Sequence, residues 1–126
     1  MKVNDYRRQI GAILWTMYEK KCAEIPKRQN YDPTKLTNAE GYSAKVFDLR
    51  ELLITRCMNY DCTGTKEMTE GFHRTLTDVL DTDMRFVKER QAKDLVTNTE
   101  YYEGGQAAIR FAREALETIW KGESNV

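Results

Sequence analysis

Histidine is almost missing from this sequence, which has one histidine, His73, in 126 residues, and this scarcity limits the chemistry that the chain can carry. A di-iron carboxylate site needs two Glu-x-x-His pairs, and only Glu70 with His73 fits that pattern. A triad drawn from Cys22 or Cys62 with His73 and Asp78 has no support beyond the residue types themselves. A glycine-rich phosphate loop and a nucleophile elbow are also missing. We therefore expect no enzymatic activity and no cofactor.

Cysteine is scarce as well, and its three copies are an odd number. The sequence shows no secretory signal and no apolar run long enough to span a membrane, so we expect reduced thiols, a cytoplasmic protein and no membrane contact. In "CMNYDC", Cys57 and Cys62 precede His73, and a zinc site would need Cys22 as a fourth ligand. Zinc sites usually contain two closely spaced ligand pairs, and Cys57 continues the apolar line of Leu53. We therefore predict packing and no bound metal.

Net charge is absent too, because 20 basic residues balance 20 acidic ones. This argues against an obligate nucleic-acid binder. The balance is uneven, since residues 1–29 contain seven basic and three acidic side chains, whereas residues 65–83 contain two and five. A nucleic-acid interface in the basic N-terminal half therefore stays as the alternative function. It would use Arg7, Arg8, Lys20, Lys21, Lys27 and Arg28, although these charges do not converge on one helical stripe.

Apolar residues at three- and four-residue spacing predict helices along most of the chain, and the two prolines fall in one predicted loop. The first helix begins near Asn4 and Asp5, which are candidate caps, and ends before Pro26. Thr37 and Glu40 form a capping box at the start of the second helix. That helix ends near "CTGT", where glycine can adopt a left-handed conformation.

The second half of the sequence is less clearly divided. The "DTD" at 81–83 lacks glycine and proline, so it either caps a separate helix reaching Val96 or lies in a bent continuation of the third helix. Capping is the simpler explanation of these aspartates, which also lack the pattern of a calcium loop. Gly105 and Ala112 would let a neighbouring backbone approach closely. Because Gly104 and Gly105 each cost roughly 1 kcal/mol in a helix, the last helix begins either before or after them.

These patterns predict an all-α fold, a compact bundle of four or five helices. By length the chain is one domain, which we place at residues 1–121, with a flexible tail at 122–126.

The second predicted helix has two apolar lines. One contains Leu53, and the other projects about 120 to 150 degrees away on helical geometry. In the first helix the apolar arc widens to about 200 degrees, against roughly 100 degrees for an ordinary surface helix. Either both helices are covered on two sides, or the extra apolar residues form an interface. The residues of that predicted interface are Trp15, Tyr18, Phe47, Ile54 and Met58.

From these features we expect a small helical protein that acts by contact with another protein or by self-association. Inhibitors, immunity proteins, adaptors and assembly subunits act in this way.

Overall fold

The computed structural model describes residues 1–94 and 98–124, and within these ranges the chain forms four helices packed side by side. They are α1 (Val3–Ala23), α2 (Asn38–Tyr60), α3 (Glu70–Lys93) and α4 (Thr99–Ser124). The predicted all-α bundle is confirmed, with four helices. No helix of the described ranges is both long and apolar enough to cross a membrane.

Helices α2 and α4 form the centre of the bundle, with α1 packed mainly on α2 and α3 packed on α4. Two glycines let the central helices cross with their backbones in direct contact. A Cβ placed on Gly41 would lie 2.0 Å from the carbonyl oxygen of Tyr101, and one placed on Gly104 would lie 2.1 Å from that of Asn38. The predicted close approach therefore exists, but it involves Gly104, because a Cβ on Gly105 would meet Lys45 at an ordinary 3.9 Å.

The N-terminus of α1 is held by the loop between α2 and α3. The amide of Val3 donates to the carbonyl of Lys66 at 2.8 Å, and that of Asn4 donates to Gly64 at 3.0 Å. The prediction of caps at Asn4 and Asp5 is therefore wrong, since these loop carbonyls satisfy N–H groups that a capping side chain would otherwise serve. Gly64 makes this possible with a φ of 72°, the left-handed conformation expected of it.

The start of α2 follows the prediction in detail. The Thr37 hydroxyl accepts from the amide of Glu40 at 3.3 Å, and the Glu40 carboxylate accepts from the amide of Thr37. This reciprocal pair is the predicted capping box.

Helix α3 continues without a break through positions 81–83, which contain two aspartates. Capping does not explain these aspartates. Asp81 instead accepts a hydrogen bond from Arg113 of α4, and Asp83 forms an ion pair with Lys45 of α2 at 3.2 Å. The third and fourth predicted helices are thus one helix, and these two pairs link it to α4 and α2 in addition to its buried apolar side chains.

Helix α4 begins at Thr99, so both Gly104 and Gly105 lie inside it. At its other end α4 includes residues 122–124, which the sequence assigns to a flexible tail. The predicted continuation of a helix to Val96, and the last two residues of the predicted tail, lie outside the described residues.

Candidate functional site

Three aromatic rings from α1 and α2 form a continuous row on the surface. The ring centres of Trp15 and Tyr18 are 5.2 Å apart, and those of Tyr18 and Phe47 are 5.4 Å apart. Trp15 and Phe47 remain 40% and 39% exposed. Both ring pairs are tilted, within the distance range of favourable aromatic contacts. The row therefore orders three large side chains, of which Tyr18 also packs against the core while Trp15 and Phe47 stay accessible to a partner.

The other two predicted interface residues lie on the same line of α2. Ile54 is partly buried and lines a groove that also contains Trp15. Met58 follows one helical turn later and is 47% exposed. The structure thus brings Trp15, Tyr18, Phe47 and Ile54 onto one surface, with Met58 at its end. The use of this surface as an interface remains a prediction.

A groove of about 370 Å³ separates α1 from α2 next to the aromatic row. Its lining residues are Arg7, Arg8, Gly11, Ala12, Trp15, Arg50 and Ile54. Three of the seven are arginines and none is acidic. We define the α1–α2 face as this groove together with Tyr18, Phe47 and Met58.

Arg50 is fixed in the groove by three contacts. Its Nε donates to the carbonyl of Gly11 at 3.0 Å, and its Nη1 donates to Glu51 at 3.3 Å. The guanidinium carbon also lies 5.3 Å from the ring centre of Trp15, a cation–π arrangement. Hydrophobic patterning does not identify Arg50, although the residue lies between Phe47 and Ile54 on the second line of α2.

The predicted nucleic-acid set does not form one surface. Arg7 and Arg8 line the groove, whereas Lys20 lines a different one, of about 450 Å³, with Phe111 of α4. Three members lie outside both grooves. Of these, Lys27 is exposed, while Lys21 pairs with Glu24 at 3.2 Å and Arg28 pairs with Glu40 at 2.9 Å.

The cysteines occupy three different environments. Cys57 is buried in the core, as predicted, and desolvation raises the pKa of its thiol to about 11. Cys62 is exposed and Cys22 is half-buried. Across the described ranges, no group of three histidine, cysteine or acidic side chains has an arrangement that could hold a metal ion.

His73 is buried and belongs to a hydrogen-bonded array that the sequence did not reveal. Its Nε2 lies 2.9 Å from the Glu117 carboxylate, and its Nδ1 lies 3.3 Å from the Tyr6 hydroxyl. The imidazole also stacks on Trp120, with ring centres 5.0 Å apart. In a neutral imidazole, a proton on Nε2 serves Glu117 and leaves Nδ1 to accept from Tyr6.

This array links α1, α3 and α4. A hydroxyl, an imidazole and a carboxylate are linked in it by hydrogen bonds, as in a catalytic triad. The Tyr6 side chain is fully buried, however, and burial raises the pKa of its hydroxyl above the ordinary value. A substrate therefore has no access to that hydroxyl, and the array stabilises the bundle. Glu70, which the sequence paired with His73, is exposed and bonds to Arg74 instead.

Comparisons of the chain with protein-family models, with curated proteins and with solved structures found no significant match.

Proposed function

We propose that this protein acts by binding another protein through the α1–α2 face. The observation that carries the proposal is the aromatic row of Trp15, Tyr18 and Phe47, which is ordered by ring contacts and yet half exposed beside a groove.

The residue types of this face are those that dominate binding energy at protein interfaces. Tryptophan, tyrosine and arginine are enriched among the residues whose truncation costs the most affinity. Trp15 and Arg50 also hold each other in place, so little side-chain entropy remains to be lost on binding. A rigid aromatic and guanidinium surface of this kind is suited to a specific protein contact.

Nucleic-acid binding receives less support. A protein that follows a phosphate backbone needs a continuous track of cations. Here Lys21 and Arg28 are neutralised by Glu24 and Glu40, and Lys20 faces a separate groove. Arg7, Arg8 and Arg50 form a basic patch too short to follow such a backbone, and Arg50 itself pairs with Glu51 at 3.3 Å.

Site-specific photo-cross-linking tests the proposal. A photoreactive phenylalanine analogue replaces Phe47, and a matched control carries the same analogue at Phe86, which is 58% exposed on α3. On irradiation in native cells, we expect a defined protein adduct from position 47 that position 86 does not give. The Phe47→Asp variant, with helicity checked by circular dichroism, should prevent binding of the partner identified in this way.

Three results would count against the proposal. Equal adducts from both positions would mean that the reaction reports exposure alone. An adduct with RNA or DNA from position 47 would favour the nucleic-acid alternative. Unchanged partner binding by a folded Phe47→Asp variant would place the interface elsewhere.

A further inference from the structure

The groove between α1 and α2 places three arginines next to an apolar surface. Arg7, Arg8 and Arg50 line it together with Trp15 and Ile54. Gly11 lies between them, and a Cβ at this position would come within 3.4 Å of Ile54 and 3.8 Å of Arg50. The missing side chain therefore leaves room for Arg50 and Ile54 to pack closely against α1, where they line the groove.

The guanidinium groups of the groove keep hydrogen-bonding capacity for a ligand. An arginine carries five N–H donors in a fixed plane. The hydrogen bonds of Arg50 to Gly11 and Glu51 use two of its donors and fix the orientation of the rest. The Arg8 side chain is exposed and makes no hydrogen bond or ion pair with any residue that the structure describes.

Carboxylates match this arrangement better than neutral polar groups do. Arginine and carboxylate form paired, charge-assisted hydrogen bonds, and these bonds strengthen beside apolar surfaces that exclude water. The indole of Trp15 and the side chain of Ile54 supply that apolar surface along the groove. A ligand that fits the whole groove therefore carries both a carboxylate and an apolar group.

We infer that the partner of the α1–α2 face presents an acidic protein segment, whose carboxylates bind Arg8 and Arg50 while a neighbouring apolar side chain packs against Trp15 and Ile54. This inference rests on the proposed protein-binding function and specifies its chemistry. The small extent of the basic patch favours an acidic segment of protein over a nucleic-acid backbone. A nucleic-acid backbone that left the groove would contact few of the other basic residues of the protein.

Titration of the ¹⁵N-labelled protein with a synthetic peptide tests the inference. The probe is a capped amphipathic peptide with glutamates on one face and leucines on the other, and its control has glutamine in place of every glutamate. We expect the glutamate peptide to shift the Trp15 indole N–H and the arginine Nε–H signals of the groove. The glutamine peptide should bind at least about tenfold more weakly, as expected for the loss of one charge-assisted hydrogen bond.

Charge reversal separates the groove from general electrostatics. Arg8→Glu should weaken binding of the glutamate peptide by about tenfold or more, whereas Arg110→Glu, a matched change at an exposed position of α4, should have a much smaller effect. The Arg8 side chain has no hydrogen bond or ion pair to lose among the described residues, so its variant tests the inference even if an Arg50 variant is destabilised. Equal binding of the two peptides, no binding of either, or equal effects of the two variants would overturn the inference.

Two outcomes distinguish this inference from the function on which it rests. If position 47 gives a protein adduct that Arg8→Glu leaves unchanged, the interface stands and the acidic partner is wrong. If a uridine oligonucleotide binds the groove more tightly than the glutamate peptide, the anionic site exists but its ligand is a nucleic acid, and the inference fails.

Discussion

The crossing of α2 and α4 gives a test of the bundle in which two adjacent glycines should respond in opposite directions. Alanine at Gly104 would place a Cβ 2.1 Å from the carbonyl oxygen of Asn38, whereas ordinary contact begins at 3.4 Å. The neighbouring atom belongs to a helix backbone, so it cannot rotate away as a side chain could. The two helices must separate locally, and their packing loosens. Alanine at Gly105 meets Lys45 and Val87 at ordinary distances.

The expected magnitudes follow from two opposing effects. In a helix, alanine is more favourable than glycine by about 1 kcal/mol, which is the gain expected for Gly105→Ala. Overpacking typically costs 1 to 3 kcal/mol, and contact with a backbone favours the upper end, roughly 3 kcal/mol. Gly104→Ala should therefore lower the free energy of unfolding by about 2 kcal/mol after the gain in helix propensity. Gly41→Ala, with its Cβ 2.0 Å from the Tyr101 carbonyl oxygen, should behave like Gly104→Ala.

Urea denaturation of the three single variants and of the Gly41→Ala/Gly104→Ala double variant measures these effects. Because one crossing is opened by either substitution, the double variant should lose less than the sum of the single losses. Thermal unfolding should show a midpoint lowered by roughly 8 °C for Gly104→Ala and raised for Gly105→Ala. A Gly104→Ala variant as stable as Gly105→Ala would refute the close crossing of α2 and α4.

Two further predictions concern buried titratable groups. Replacing His73 by alanine leaves Tyr6 and Glu117 without their shared partner and opens a cavity, so the free energy of unfolding should fall by about 2 to 4 kcal/mol in urea denaturation. Tyr6→Phe should cost about 1 kcal/mol, and a smaller loss for His73→Ala than for this variant would contradict the buried array. The free energy of unfolding should also fall as the pH rises from 9.0 through about 11, because the thiol of Cys57 ionises at lower pH in the unfolded chain than in the folded one. Burial raises the pKa of Tyr42 to about 12, so ionisation of this tyrosine lowers the free energy of unfolding in the same direction. Cys57→Ala should make this decline shallower in denaturation measured across that pH range, and an identical decline would show that the thiol contributes nothing to it.

The structural features that the sequence predicts correctly are those that depend on residues close together in the chain. The capping box at Thr37 needs only Glu40, three residues away, and it forms as expected. The apolar line of α2 likewise places Cys57 in the core, since helical periodicity alone sets which side it faces.

The errors in the fold arise where distant segments satisfy local requirements. The first turn of α1 needs no cap from Asn4 because carbonyls of Lys66 and Gly64 accept its amide hydrogens. Gly104 remains inside α4 because the contact with α2 excludes a Cβ at this position. Helix propensity and capping rules describe an isolated helix, so they predict neither the loop carbonyls that accept from α1 nor the helix contact that requires glycine.

The candidate site also combines residues that are distant in the sequence and that no local pattern brings together. The sequence treats the apolar set and the basic set as two alternative interfaces, because each follows a separate pattern along the chain. In the folded protein, Arg7 and Arg8 from the basic set line the same groove as Trp15 and Ile54 from the apolar set. Arg50, which belongs to neither set, lies in the same groove and contacts Gly11 and Trp15. A ligand of this groove therefore meets charge and apolar surface at once, so measuring the salt dependence of binding alone would not identify its class, whereas matched glutamate and glutamine peptides would.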